Sequence, residues 1–136
     1  MAIDTGHGSS ISFGTQGGTW RAISIAGHTE TRPVIDTTYQ ATTTRRTCMP
    51  GDLVEVSIFT VRVQFQGNQG LPTETAAETI TVTHPTATGN TTPANIAGTG
   101  FVTRRKFPDL ETNTLQIGEF DIQWDGNTGP TFTVAS

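Results

Sequence analysis

Three histidines and one cysteine are the side chains of this 136-residue chain best suited to metal or nucleophile chemistry. A metal centre needs three or four His, Cys, Asp or Glu ligands that one turn or hairpin can bring together. His7, His28 and His84 lie far apart, and none has such neighbours in sequence. Nucleophilic catalysis needs a thiol or hydroxyl beside a base that activates it. Cys48 stands two residues from Arg46, a cation that favours the thiolate, but no base accompanies it. "GHGSS" at residues 6–10 has the small residues of a phosphate loop without the lysine or the following helix. It reads as part of an N-terminal arm over residues 1–9. "NTT" at 90–92 matches a glycan acceptor, a match that 28 threonines produce by coincidence. These patterns hold no cofactor site, no metal site and no catalytic group, so no enzyme is expected.

The remaining polar signals are basic. Arg45 and Arg46 sit in "TTYQATTTRRTCMPGD", residues 37–52, a stretch without hydrophobic rhythm and longer than a hairpin needs. "RRK" at 104–106 puts three charges in a strand, where successive side chains alternate sides. That arrangement reads as a set of surface ion-pair partners. The net charge of −4 excludes a general nucleic-acid binder, which shows a basic field. No apolar run approaches the ~20 residues of a membrane span, and residues 1–20 lack a signal peptide's apolar region. A single cysteine permits no intrachain disulfide, as expected of a chain made and folded in a cytoplasm.

The elements that must position these residues are strands. Threonine favours strands through its β-branch. Alternating or apolar runs over 10–14, 19–26, 30–38, 52–66, 78–84, 96–106, 115–124 and 131–135 are separated by turn signals such as "GTQGG", "GNQG" and "DGNTGP". "PTETAAETI" is the one helix candidate, one or two turns over 72–78 with Thr73 as N-cap. The expected fold is all-β, a single β-sandwich or partial barrel with at most one short helix. Leu, Ile, Val and Phe number 29, which makes a thin core and points to burial against partners.

Two long strands change phase. In "DLVEVSIFTVRVQFQ" apolar residues fall at Val54, Val56 and Ile58, then at Phe59, Val61, Val63 and Phe65. In "LQIGEFDIQW" they move from Leu115 and Ile117 to Phe120, Ile122 and Trp124, with Gly118 at the break. A period of two changes phase at a bulge, so a bulge is expected at Gly118. The alternative is a strand that packs opposite faces at its two ends, as a subunit sharing its sheet with neighbours would.

Read in order, these segments resemble the tail tube proteins of long-tailed phages. "VIDTT", a polar loop with arginine, Pro-Gly and a long strand of "LVEVS" type come first. "AAETITVTHP", "GTGFVTRRKF" and the closing pair "LQIGEFDIQWDGNTGPTF" follow, so the resemblance covers roughly residues 10–135. It rests on order and spacing, because each motif is short. The segment between Phe65 and Glu78 is shorter than the helix-bearing one of many members, and "RRK" is more basic.

The resemblance implies a β-sandwich that joins five neighbours in a hexameric ring, its inner strands closing into one barrel. Rings would stack into the conduit through which the genome leaves the virion. Residues 39–51 would be the inter-subunit loop, with Arg45 and Arg46 seeking acidic residues on the next subunit. Tyr39 and Met49 would be apolar anchors, and Pro50-Gly51 would turn the chain back into the sheet. Thr60, Arg62, Gln64, Glu119, Asp121 and Gln123 would line the lumen. An acidic lining, with Arg62 paired to Glu119 or Asp121, would let DNA pass without specific binding. The implied partners are the protein itself, tape measure, tail terminator and baseplate proteins, in a virion tail assembled in the host cytoplasm, with no membrane insertion. A capsid decoration or baseplate β-sandwich and a carbohydrate-binding module are the alternatives. The tube subunit of type VI secretion systems is a cousin without a specific sequence match.

Overall fold

The computed structural model describes residues 8–38, 44–86 and 88–136. Strands β1 (Ser10–Phe13), β2 (Thr19–Ala26), β7 (Phe59–Gln64), β8 (Glu78–Thr83), β9 (Asn95–Lys106) and β10 (Ile117–Trp124) form an antiparallel sheet in the order β10-β7-β2-β1-β8-β9. Pairing of β9 with β10 closes it into a six-stranded barrel, and β11 (Thr131–Thr133) adds to β9 beside the closure. No described residue is helical. Between Phe65 and β8 the chain runs irregularly. The Thr73 amide donates to Gln16 Oε1 at 2.9 Å instead of capping a helix.

Alternation builds the core. Ile11 and Phe13, Phe59, Val61 and Val63, Ile80 and Val82, and Phe120, Ile122 and Trp124 are each spaced by two and buried. Phe13 meets Trp20 edge-on at 5.4 Å, and both pack near Phe120. One carboxylate joins this interior. Glu78 is buried, and its oxygens accept from the amides of Thr15 and Gln16 at 3.0 and 3.2 Å and from the Thr75 hydroxyl at 3.2 Å. Those bonds tie the β1–β2 turn to the segment entering β8 and meet the requirement that a buried charge be hydrogen-bonded.

Residues 29–38 and 44–57 leave the barrel as an arm of two ribbons. β3 (Glu30–Thr31) pairs with β6 (Glu55–Val56), and β4 (Val34–Asp36) with β5 (Cys48–Pro50). The expected strands 30–38 and 52–66 are therefore broken, the first at Arg32-Pro33 and the second at Ser57-Ile58. At Ser57 the chain passes from the arm into the barrel. Its amide bonds Thr29 O, and its hydroxyl links the Gly27 carbonyl and the Thr29 amide. The phase shift in "LVEVSIFTVRV" marks this change of sheet.

The Gly118 expectation needs correcting. Register runs unbroken through it, with Ile117, Gly118 and Glu119 opposite Gln64, Val63 and Arg62, and its φ is not left-handed. Bulges lie instead at Ile23 of β2, against β7, and at Thr103 of β9, against β10. Gly118 occupies the buried phase of β10, where a Cβ would meet Leu71 Cδ2 at 2.8 Å. Space, not backbone conformation, demands glycine. Gly118→Val should destabilise the fold by about 1–3 kcal/mol through overpacking. The penalty should shrink in a Leu71→Ala background, as a double-mutant cycle in urea would show. An equal penalty in both backgrounds would exclude the steric account.

Candidate assembly surface

The outward face of β7, β10 and β9 gathers most of the polar residues that the sequence singled out. Directly paired residues share a face, so Glu119 stands beside Arg62 on one side and Lys106 on the other, and Asp121 beside Thr60 and Arg104. Arg104 Nε donates to Asp121 Oδ2 at 2.9 Å, and its Nη2 to Glu119 Oε2 at 3.2 Å. Arg62 Nε lies 3.6 Å from Glu119 Oε1, and the Thr60 hydroxyl donates to Asp121 Oδ1 at 2.8 Å. The Arg104 hydrogen bond, reinforced by that of Thr60 and opposed by burial, holds the Asp121 carboxyl below the usual carboxylate range. Gln64 is exposed at the end of β7, and Gln123 donates to its neighbour's carbonyl. The pairing expected of Arg62 is present. The acidic character expected of this face is not, because Arg104 and Lys106 sit on it as well. The "RRK" cluster does act as ion-pair partners, Arg104 as above and Arg105 with Glu74 at 3.1 Å. Only strand register, invisible in the linear sequence, shows that Arg104 and Lys106 share a face with Glu119 and Asp121.

The arm carries the other group. Tyr39 lies outside the described residues. Arg46 pairs with Asp36 within the β4–β5 ribbon, and hydrogen bonds from Thr38, then Arg46, hold the Asp36 carboxyl below its ordinary range. Arg45 is exposed and makes no ion pair among the described residues. Met49 is an exposed strand residue opposite Ile35. Gly51, buried against Pro33, accepts from Arg32 at 3.0 Å, and the bend follows at Asp52. Val34, Ile35, Met49, Leu53 and Val54 are exposed, with Leu53 77% open.

Among the described residues, two half-strands have a bare edge. β1 covers β2 only as far as Arg21, with one further bond from Ala22 to Ser9, so Ile23–Ala26 pairs with β7 alone. β8 reaches β9 only up to Gly100, so Phe101–Lys106 pairs with β10 alone. These edges lie on opposite sides of the four-strand sheet β2-β7-β10-β9. Beside the first is an open cleft of about 900 Å³ lined by Ile23, Ile25, Val82, Ile96, His28 and His84. Beyond the second, Phe107, Leu110 and Leu115 are exposed.

His28 sits at the root of the arm. Its ring packs edge-on against Phe59 at 5.6 Å and Trp124 at 6.1 Å, and its Nε2 is buried without a hydrogen-bond partner among the described residues. Burial pushes its pKa below the ordinary imidazole value, with Glu30 opposing.

No family model and no curated protein sequence matches the chain. Solved structures do share its fold along nearly its whole length. A chain of the anti-feeding prophage baseplate superposes with a TM-score of 0.72 at 10% identity, covering 98% of each chain. A chain of the PVC sheath–tube complex, from an extracellular contractile injection system, gives 0.65 at 16% identity, covering 97% of this chain and 92% of that one. Hcp1 from Flavobacterium johnsoniae gives 0.53 at 10% identity, covering 93% and 98%. The chain shares the fold of these proteins.

The His28 environment makes a prediction about acid. A folded-state pKa below the unfolded one means that the unfolded chain binds more protons in between. The contribution of neutral His28 is therefore intact above about pH 6.5 and is lost as pH falls below it. Thermal melts from pH 8 to 5 should show wild type losing stability relative to His28→Phe, and parallel curves would rule this out.

Proposed function

We propose that this chain is a structural subunit of a phage-tail-like tube, in which six copies form a ring and rings stack into a conduit. The observation that carries the reading is the pair of bare half-edges. A sheet edge with unpaired backbone groups is a template for another strand. Here one chain holds two such edges on opposite sides of one sheet, which suits head-to-tail joining into a closed ring. The sheet has four strands, each antiparallel to the next, so β9 of one copy meets β2 of the following copy antiparallel as well. Through β7 and β10 the register aligns Ser24 with Lys106 and Ala26 with Arg104, so the bare segments of β2 and β9 lie at the same level of the sheet and can meet edge to edge between copies.

Other features support the same reading. The fold is that of chains found in a sheath–tube complex and a baseplate of injection particles. The exposed apolar residues of the arm and of the 107–115 segment would be covered by neighbouring copies. Arg45 would reach an acidic group on an adjoining copy, and the β7-β10-β9 face would line the lumen. As in the tails of long-tailed phages, the conduit would carry a genome and the particle would be a virion tail. The likeness to a baseplate chain favours a second reading, a ring that ends a tube rather than one repeated along it.

Electron microscopy of the purified protein should show six-membered rings or stacked tubes, and single rings at all concentrations would favour the second reading. Ser24→Cys with Lys106→Cys, positions at the same level of the sheet, in a Cys48→Ser background, tests the edges. Within one copy the two positions are three strand spacings apart, about 14 Å, too far for a disulfide. Oxidation should therefore give a covalent ladder of up to six copies, whereas monomers alone would overturn the ring. Arg45→Glu should leave the monomer's stability within about 0.5 kcal/mol of wild type. It should shorten or abolish tubes, and tubes of ordinary length would remove Arg45 from the contact.

A further inference from the structure

We infer that the β7-β10-β9 face is a masked polyanion site, whose arginines are held off phosphate by Glu119 and Asp121. This inference rests on the conduit reading for its purpose, but its chemistry stands on the single chain.

Three cations, Arg62, Arg104 and Lys106, share the face with two carboxylates. The carboxylates lie on the middle strand, between the arginines. Arg104 gives Nε and Nη2 to them, in bonds of 2.9 and 3.2 Å, with a further contact from Nη2 to Asp121 Oδ1 at 3.4 Å. Arg62 Nε is drawn to the other Glu119 oxygen. Thr60 donates to Asp121 and fixes one carboxylate in place.

Phosphate is recognised by the same guanidinium edge that Asp121 and Glu119 occupy. A passing polyanion must therefore displace partners built into the same sheet, at the high effective concentration of an intramolecular contact. Both arginine side chains are nearly half exposed, at 47% and 48%. Arg104 commits two of its nitrogens, Nε and Nη2, to the carboxylates, and Arg62 brings one, Nε, to ion-pair distance. The arrangement lets cations and anions coexist on a wetted surface while removing the adhesive part of the cation. An acidic wall repels nucleic acid, whereas this one neither repels nor holds it.

The variant Glu119→Gln with Asp121→Asn unmasks the site while keeping the side-chain shapes. Its probes are heparin-agarose and a fluorescent 20-base-pair duplex DNA. At 50 mM salt wild type should pass through heparin and leave duplex anisotropy unchanged. The double variant should be retained and bind the duplex at least tenfold more tightly. With three cations freed, the log–log salt slope should steepen to about −2 to −3. Adding Arg62→Gln and Arg104→Gln should restore the wild-type behaviour. Glu119→Gln alone, at the more exposed carboxylate, should give a partial gain should the double variant fold poorly. No gain in either variant, or wild type binding as tightly as the double variant, overturns the inference. Rings without any gain would remove the mask and leave the tube reading in place. A gain without rings would do the reverse.

Discussion

The fold depends on one long strand reaching partners in two layers. β9 runs for twelve residues, pairs with β8 and β11 through its first half, and with β10 through its second. At the changeover the backbone of residues 123–130 comes almost into contact with it. A Cβ at Gly98 would lie 2.7 Å from Thr128 O, and one at Gly100 would lie 2.7 Å from Gln123 O. Any other residue at either place would hold the two segments apart and prevent closure. The bulge at Thr103 follows, so that the second half of the strand faces its charges outward beside β10. The barrel's closure, the shared ion-pair face and the bare edge of Phe101–Lys106 all follow from that one crossing.

Much of this was legible because strands announce themselves by period. The runs at 10–14, 19–26, 78–84 and 96–106 match strands within a residue at either end, and the burial of Phe120, Ile122 and Trp124 was readable from spacing. The breaks were less so. Ser57 and Pro33 interrupt otherwise convincing strands for reasons that involve a carbonyl on another element and a sheet change. Gly118 sat at a phase shift and suggested a bulge, when its smallness serves Leu71, 47 positions away in the chain. Likewise Arg104 and Lys106 join Glu119 and Asp121 only through register, which the residues of neither strand specify alone. Arg46 finds its carboxylate, Asp36, inside its own ribbon, a pairing that a linear reading of a loop could not anticipate.

The division of labour between surfaces follows from the thin core. Thirteen described apolar residues form the buried cluster, and none of them lies between Ala22 and Phe59. A larger globular protein would enclose side chains such as Val34, Leu53, Leu110 and Val134, yet here they stay open to solvent. Polar character is concentrated instead on the β7-β10-β9 face, where each carboxylate has a cationic neighbour. The molecule thus presents one wetted, charge-paired side and several greasy flanks, a polarity suited to a wall element in the proposed ring.

The arm's separation from that core has a consequence for how fast a polymer can start. Among the described residues its ribbons pack mainly on each other, with Val56 reaching the core, and the corner at Ser57 and Gly27 is their covalent and hydrogen-bonded anchor. Little apolar burial in the free chain offsets the entropy of fixing the arm. Ordering it fully is a cost deferred to the moment when a surface receives it. In the proposed ring, two free chains meeting in solution would both meet that cost for a small contact, whereas a chain arriving at a finished ring would find a complete seat. Spontaneous starts would then be rare and elongation easy, giving growth with a lag that a preformed template abolishes. A subunit of this build would accumulate in quantity without polymerising until something supplied the first ring.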